Sequence, residues 1–176
     1  MRIIGGEYRN RIIKAPKGQD VRPTGERVRE AIFNILYAQM DFDDLVVADI
    51  CCGTGALGLE ALSRGAKFCT FVDLDVKPVT ENLRYFDVDS DRFKLIRSLG
   101  QKVRTTKSAD LVFVDPPYYN GIAEEVMRNA DNIGKAGSLW IVEVESKHDL
   151  EINDAKFELV DDRKYGHSKI YILKQK

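Results

Sequence analysis

Leu45-Val46-Val47-Ala48-Asp49-Ile50-Cys51-Cys52-Gly53-Thr54-Gly55-Ala56-Leu57-Gly58 joins a short apolar run to a glycine-rich turn. Residues 45–50 have the apolar continuity of a strand buried on both faces. Gly53, Gly55 and Gly58 spell G-x-G-x-x-G. Residues 56–64 follow as a helix, with Gly65 placed to cap its C-terminus. Strand, glycine turn and helix make the first half of a β-α-β unit.

The pattern repeats downstream. Strands are expected at 68–72, 93–96, 111–114 and 139–144, and helices at 76–86 and 123–133. The link from Gly100 to Ala109 is short for a crossover helix. Residues 157–160 and 169–173 read as two strands joined by a polar loop, an antiparallel hairpin at one edge. Repeated β-α-β units with apolar strands predict a doubly wound, mostly parallel seven-stranded α/β sheet.

Upstream, residues 24–40 carry a helical period. Val28, Ala31, Ile32, Ile35 and Leu36 form its apolar stripe, with Arg27, Arg29 and Glu30 off it. Residues 2–7 and 10–14 read as an N-terminal β-hairpin turning at Tyr8-Arg9-Asn10 and stopped by Ala15-Pro16-Lys17-Gly18.

The chain has 176 residues, 44% hydrophobic and 31% charged. These values exclude a largely disordered or collagen-like protein. By length residues 1–176 are expected to be one domain, the hairpin included. No run approaches the ~20 apolar residues of a membrane span. With no signal-peptide pattern at the N-terminus, a cytoplasmic protein is expected. Three cysteines in no metal-ligand spacing argue against a disulfide framework, and no metal is expected. Nothing points to an obligate dimer, so a monomer is expected. The net charge of −1 hides an asymmetry: residues 1–22 carry +4, leaving −5 elsewhere. A basic arm on a mildly acidic body suits a polyanion, although a solvated surface hairpin has the same composition.

Asp49 ends the first strand, four residues before Gly53. Glycines there let backbone approach a ligand closely. A carboxylate at that mouth suits a cofactor bearing a cation better than the pyrophosphate of NAD. S-adenosylmethionine carries an ammonium and a sulfonium. Asp73 ends the second strand, where a carboxylate accepts from ribose hydroxyls. Asp75 is the alternative, or it caps the next helix.

Asp115-Pro116-Pro117-Tyr118 ends the strand at 111–114. Two prolines stop the strand and fix the backbone. Asp115 and the Pro116 carbonyl would project from the ligand edge of the sheet. Together they can hold the hydrogens of an exocyclic amine and aim its lone pair. Tyr118 can stack on a flat base. A rigid surface turn is the plainer reading of the same residues.

These residues resemble the amino-methylating branch of the S-adenosylmethionine-dependent methyltransferases. Asp49, Gly53 and Gly55 look like its cofactor loop, and Asp115-Pro116-Pro117-Tyr118 like its catalytic motif. That motif is shared by DNA adenine-N6, RNA guanine-N2 and protein glutamine-N5 enzymes.

The N-terminus is more specific. Arg2-Ile3-Ile4-Gly5-Gly6, Lys14-Ala15-Pro16-Lys17-Gly18 and the run from Arg22-Pro23-Thr24-Gly25-Glu26-Arg27 to Leu36 are similar to the bacterial RsmD family. So are Gly55 to Ala66 and Arg163-Lys164-Tyr165-Gly166. The resemblance implies a Rossmann-like class I methyltransferase that acts on guanine N2 of 16S ribosomal RNA, in the assembling or assembled small subunit. It implies that Asp115, Pro116, Pro117 and Tyr118 are catalytic, and that Asp49, Gly53, Gly55, Asp73 and Thr24 hold the cofactor. It implies that Arg2, Arg9, Arg11, Lys14, Arg22 and Arg27 meet RNA. The resemblance also implies that Arg22, Thr24 and Arg27 contact the cofactor carboxylate, RNA phosphate or both. For Arg27 and Arg29 a solvated helix face is the plainer reading. Ser98 departs from the pattern. It stands where the family places an acid near the adenine, and a hydroxyl accepts less strongly.

Three rivals share parts of this reading. A DNA adenine-N6 methyltransferase needs a target-recognition domain for which 176 residues leave little room. An NAD-dependent oxidoreductase is disfavoured by Asp49. A non-catalytic RNA-binding or ribosome-assembly factor could retain the fold. Cys51 and Cys52 are expected to be small hydrophobes, with a redox switch as the minor alternative. His148 and His167 look isolated, and Trp140 is expected in the core.

Overall fold

A computed structural model describes residues 1–15, 25–117 and 121–176. The elements run α1 (Glu26–Tyr37), β1 (Val46–Ile50), α2 (Ala56–Ser63), β2 (Phe68–Asp73), α3 (Lys77–Tyr85), β3 (Phe93–Arg97), β4 (Ala109–Val114), α4 (Ile122–Arg128), β5 (Gly134–Glu145), β6 (Phe157–Tyr165) and β7 (Ser168–Gln175). One seven-stranded sheet has the order β3-β2-β1-β4-β5-β7-β6. Strands β1 to β5 are parallel, and β7 runs antiparallel to both neighbours. This is the expected doubly wound architecture.

Side chains alternate across the sheet as the pleat requires. Val47, Phe71, Leu111, Phe113 and Ile141 face α1, α2 and α3. Ile50, Val72, Val112, Trp140 and Val142 face the α4 side. Trp140 is fully buried, and its Nε1 donates to Ser138 Oγ and Gln175 Oε1, both at 3.1 Å. Helix α2 ends in a Schellman motif: Gly65, at φ +116°, donates to Leu62 O while Ala66 donates to Ala61 O.

The short link after β3 contains only a single 3-10 turn, Gly100–Lys102. A Cβ on Gly100 would lie 2.6 Å from Ile50 Cγ2, so glycine lets the turn sit directly on the sheet. Helix α4 is shorter than expected. It ends at Arg128, and a separate 3-10 turn follows at Ala130–Asn132. Asn129, between them, donates through Nδ2 to Val103 O.

The N-terminal hairpin is real, but it is not two strands. Arg2 and Ile12 form its one bridge, supported by Ile3 N to Arg11 O and Asn10 N to Ile3 O. Several of its other backbone donors go to α2, while Arg2 N donates to Glu26 of α1 and Lys14 N to Asn82 of α3. Ile4 N and Gly5 N donate to Glu60 Oε2 and Oε1 at 2.8 and 2.9 Å, and Tyr8 N donates to Ser63 Oγ at 2.9 Å. Ile3, Tyr8 and Ile13 enter the core. Gly6 has φ +76°, and a Cβ there would lie 1.7 Å from Ser63 O. The Gly5-Gly6 pair therefore lets the arm ride over the end of α2.

Arg29 corrects the reading of α1. It is fully buried, not solvated, and donates to Arg2 O. The buried stripe is Arg29, Ile32, Phe33 and Leu36, rotated from the expected one because the arm covers a neighbouring face. Burial lowers the Arg29 pKa, and Glu60 and Glu26 counter it.

Glu60 is also fully buried, and it pairs with Arg64 Nε at 2.7 Å. Removing one member of such a pair strands the other charge. Glu60→Ala is expected to cost about 3–5 kcal/mol and to free the arm. A urea melt and limited proteolysis near residues 1–15 check both. An unchanged midpoint would refute this role for Glu60.

Candidate active site

The parallel strands end on one edge, where loops collect ligands in open α/β sheets. Neighbours β1 and β4 pair Ile50 with Val114, so the next residues, Cys51 and Asp115, lie side by side. Asp115 N donates to Ile50 O at 3.3 Å. Asp73, Asp115 and Asp49 all act electrostatically on the Cys51 thiol, which burial first and these charges next push up to about 12. Both motifs thus meet at one point. All three cysteines are reduced, and burial raises the Cys52 and Cys69 thiols well above their ordinary value. This environment disfavours thiolate chemistry.

The loop after β1 is held open by its own backbone. Cys51, Gly53 and Gly55 have φ +61°, +52° and +79°. A Cβ on Gly53 meets nothing within 4 Å, so that glycine borders free space. Gly55 and Gly58 serve packing instead. A Cβ on Gly55 would lie 2.5 Å from Val79 Cγ2, and one on Gly58 would lie 2.3 Å from Phe71 Cε1. Gly58→Ala is expected to destabilise by about 1–3 kcal/mol, because α2 must lift from β2. A lower denaturation midpoint with unchanged slope checks it.

Asp49 is almost fully buried, and its Oδ2 accepts from Gly58 N at 2.9 Å. Burial raises its pKa to about 7, with Asp73 adding to the rise and the Gly58 amide opposing it. Asp73 Oδ2 accepts from Gly53 N at 2.9 Å, tying the end of β2 to the glycine loop. Asp75 does act as a local cap, since its Oδ1 accepts from Lys77 N at 3.1 Å. Ser98 N donates to Asp73 O at 3.1 Å, which puts Ser98 on the same crevice wall. Its hydroxyl donates to Leu99 O, leaving lone pairs to accept. Leu74 and Leu99 stand at this rim, 58% and 37% exposed. Sequence reasoning missed both, although each directly follows a strand end or its flanking residue. A buried carboxylate, a cradle without a Cβ, a second carboxylate and two apolar rims fit a cationic nucleoside.

Pro116 is buried beneath the edge and Pro117 exposed upon it. Tyr118, Thr24 and Arg22 lie outside the described residues. Arg2, Arg9, Lys14 and Arg27 are exposed. Arg11 is not purely a surface cation. It caps α3 by donating to Tyr85 O and Phe86 O, and it stacks 4.6 Å from the Phe86 ring centroid. Lys14 Nζ lies 4.2 Å above the Tyr85 ring. Fully buried Asn82, another residue missed, holds both Lys14 N and Lys14 O and donates to Thr54 O at 2.9 Å. It joins the arm to the glycine loop.

His148 is not isolated. Its Nε2 lies 2.6 Å from Glu124 Oε1, beside Pro116 and Pro117. No spacing signal pairs the two. The only clue is that each follows a strand that ends on the ligand edge. Among the described residues no group of three or more His, Cys, Asp or Glu could hold a metal, and no helix is long and apolar enough to cross a membrane.

This strand order, with its two strand-end loops, is the Rossmann-like class I methyltransferase fold. The chain belongs to a bacterial ribosomal RNA methyltransferase family: the family described as conserved hypothetical protein 95 matches residues 1–174. It is 33% identical to ribosomal RNA small subunit methyltransferase D of Escherichia coli K12, over 84% of this chain and 75% of that protein. The Haemophilus influenzae protein of the same name is 32% identical, over 85% and 81%. A solved structure of the Escherichia coli protein yhhF superposes with a TM-score of 0.85 at 31% identity, covering 100% of this chain and 98% of that one. The chain is therefore a methyltransferase enzyme.

Proposed function

We propose that this enzyme transfers a methyl group from S-adenosylmethionine to the exocyclic N2 of a guanine in 16S ribosomal RNA, within the small subunit or its assembly intermediates. The observation that carries this reading is that Asp49, Asp73 and Asp115 stand at the same ends of the adjacent parallel strands β1, β2 and β4. Two of these carboxylates suit a cationic nucleoside, and the third opens an Asp-Pro-Pro turn suited to an amine. The relatives' action on small-subunit ribosomal RNA supplies the substrate class.

Asp49 accepts the cofactor's ammonium, and Asp73 accepts from its ribose. Ser98 accepts from the adenine amino group, while Leu74 and Leu99 cover the adenine faces. Thr24 and Arg22 keep the roles that the family resemblance implies. When bound, S-adenosylmethionine supplies a methyl group made electrophilic by its sulfonium. Asp115 and the Pro116 carbonyl hold the two N2 hydrogens, so the nitrogen lone pair points at that carbon. An aromatic amine is a poor nucleophile, and this orientation supplies much of the rate. Tyr118 stacks on the base, an assignment made from sequence. The guanine must leave its stack to reach this edge. Exposed Arg2, Arg9, Lys14 and Arg27 grip the RNA backbone, with affinity that falls as salt rises.

Tritiated methyl transfer to small subunits lacking their guanine-N2 methylation tests the reading, with naked 16S RNA and duplex DNA alongside. Label recovered as N2-methylguanosine is expected. Label in DNA adenine, or none from enzyme that binds cofactor, would overturn it.

A further inference from the structure

Beside Pro116 and Pro117 lies a cavity of about 80 Å³ that the reaction above does not use. We propose that it is a base-specificity subsite in which Glu124 Oε2 accepts N1–H of the target guanine. The assignment rests on the guanine-N2 reading.

Glu124, on the first turn of α4, is 8% exposed, and its Oε1 is engaged by His148. Its Oε2 is buried and has no hydrogen-bond partner. Such an oxygen is costly to leave empty, and buried polar atoms without partners point to something that comes and goes. Oε2 faces Gly121, where a Cβ would lie 3.7 Å from it, and Gly121 lines this same cavity. Burial acts to raise the Glu124 pKa, but the His148 hydrogen bond at Oε1, with nearby backbone amides, brings it below the ordinary carboxylate value. The carboxylate is therefore ionised and accepts only.

Glu143 and Glu145 also border the cavity. Three carboxylates and one histidine repel phosphate and favour donors. Among the four bases, guanine alone carries a ring N–H next to an exocyclic amine. Adenine and cytosine present a lone pair at that ring nitrogen, which would face Oε2 with repulsion. Uracil has a ring N–H but no amine to methylate. With Asp115 and the Pro116 carbonyl on N2, the remaining donor of that edge is N1–H. A site built to hydrogen-bond a group discriminates strongly against its absence.

The test uses the full chain, S-adenosylmethionine, and reconstituted small subunits carrying guanine or 2-aminopurine at the target position. 2-Aminopurine keeps the amine and lacks N1–H. Wild type is expected to favour guanine in kcat/KM by at least ~100-fold. Glu124→Gln should narrow that ratio at least ~10-fold, mainly by loss on guanine, while cofactor affinity holds within about threefold. His148→Gln, a change at an exposed residue, should narrow it by several-fold through its hold on Glu124. An unchanged ratio in Glu124→Gln with normal cofactor binding overturns the subsite. If that variant does not fold, an unchanged ratio in His148→Gln does so. Wild type that methylates both bases equally also overturns it, leaving the guanine-N2 reading intact. No transfer to guanine by wild type overturns both.

Discussion

Asp115→Ala abolishes methyl transfer, lowering turnover by at least ~1,000-fold, and leaves cofactor affinity within about threefold. The first half follows from position. Asp115 stands one residue beyond β4, fixed by Asp115 N to Ile50 O and followed by two prolines that cannot relax. In the proposed mechanism, alanine deletes an acceptor for one hydrogen of the amine, so the lone pair is no longer aimed. The Pro116 carbonyl remains, but a single acceptor lets the nitrogen rotate. The second half follows from the neighbouring loop. Asp49 is held by Gly58 N and Asp73 by Gly53 N, and neither bond involves Asp115. Single-turnover kinetics and a cofactor titration read the two halves separately. A parallel loss of both would place Asp115 in the cofactor site. Asp115→Asn keeps an acceptor and is expected to fall between the two.

The sheet was legible because its strands are short, continuous apolar runs between turn residues. Burial on both faces requires this of a parallel sheet, so the doubly wound, mostly parallel architecture with an antiparallel edge was readable. Asp49 and Asp115 were legible because each interrupts such a run where the strand ends. What escaped depends on partners distant in sequence. Arg29 reads as a surface charge until the arm brings the Arg2 carbonyl to it, and Glu60 reads as one until Ile4 and Gly5 donate to it. The hairpin read as two strands because two short isoleucine-bearing runs flank the turn at Tyr8-Arg9-Asn10. Yet only Ile3 and Ile13 of its isoleucines are buried in the core, and much of the arm's backbone bonds to α2. Strand β6 was read short because most of its residues are polar. It is an edge strand, exposed along most of its length, and its charges and the bulge between Leu159 and Asp161 protect that edge from further pairing. Glu124 and His148 lie 24 residues apart with no periodicity joining them, so only the folded edge makes them a pair.

Asp49→Asn is expected to weaken cofactor binding by at least ~100-fold while stabilising the free protein at pH 8, and the two effects have one origin. A carboxyl whose pKa is about 7 in the fold, against 3.8 ordinarily, binds its proton more tightly folded than unfolded. Its contribution to stability is complete below its unfolded pKa and is lost as pH rises through about 7. That loss is about 4 kcal/mol for a shift of this size. Asparagine keeps the acceptor for Gly58 N and never ionises. It must bury an amide N–H₂, so the net gain at pH 8 is roughly 1–3 kcal/mol. On the proposed assignment, the ammonium of the cofactor needs the ionised acid, which would account for a charge held at this cost. The same linkage sets a pH profile for wild type. Cofactor binding should weaken by up to ~10-fold per pH unit below about 7, with protons released on binding, and should level off above it. In Asp49→Asn this dependence should vanish. Calorimetric titration in two buffers of different ionisation enthalpy measures affinity and proton release together. A wild-type affinity flat from pH 8 to pH 5.5 would remove Asp49 from the ammonium site.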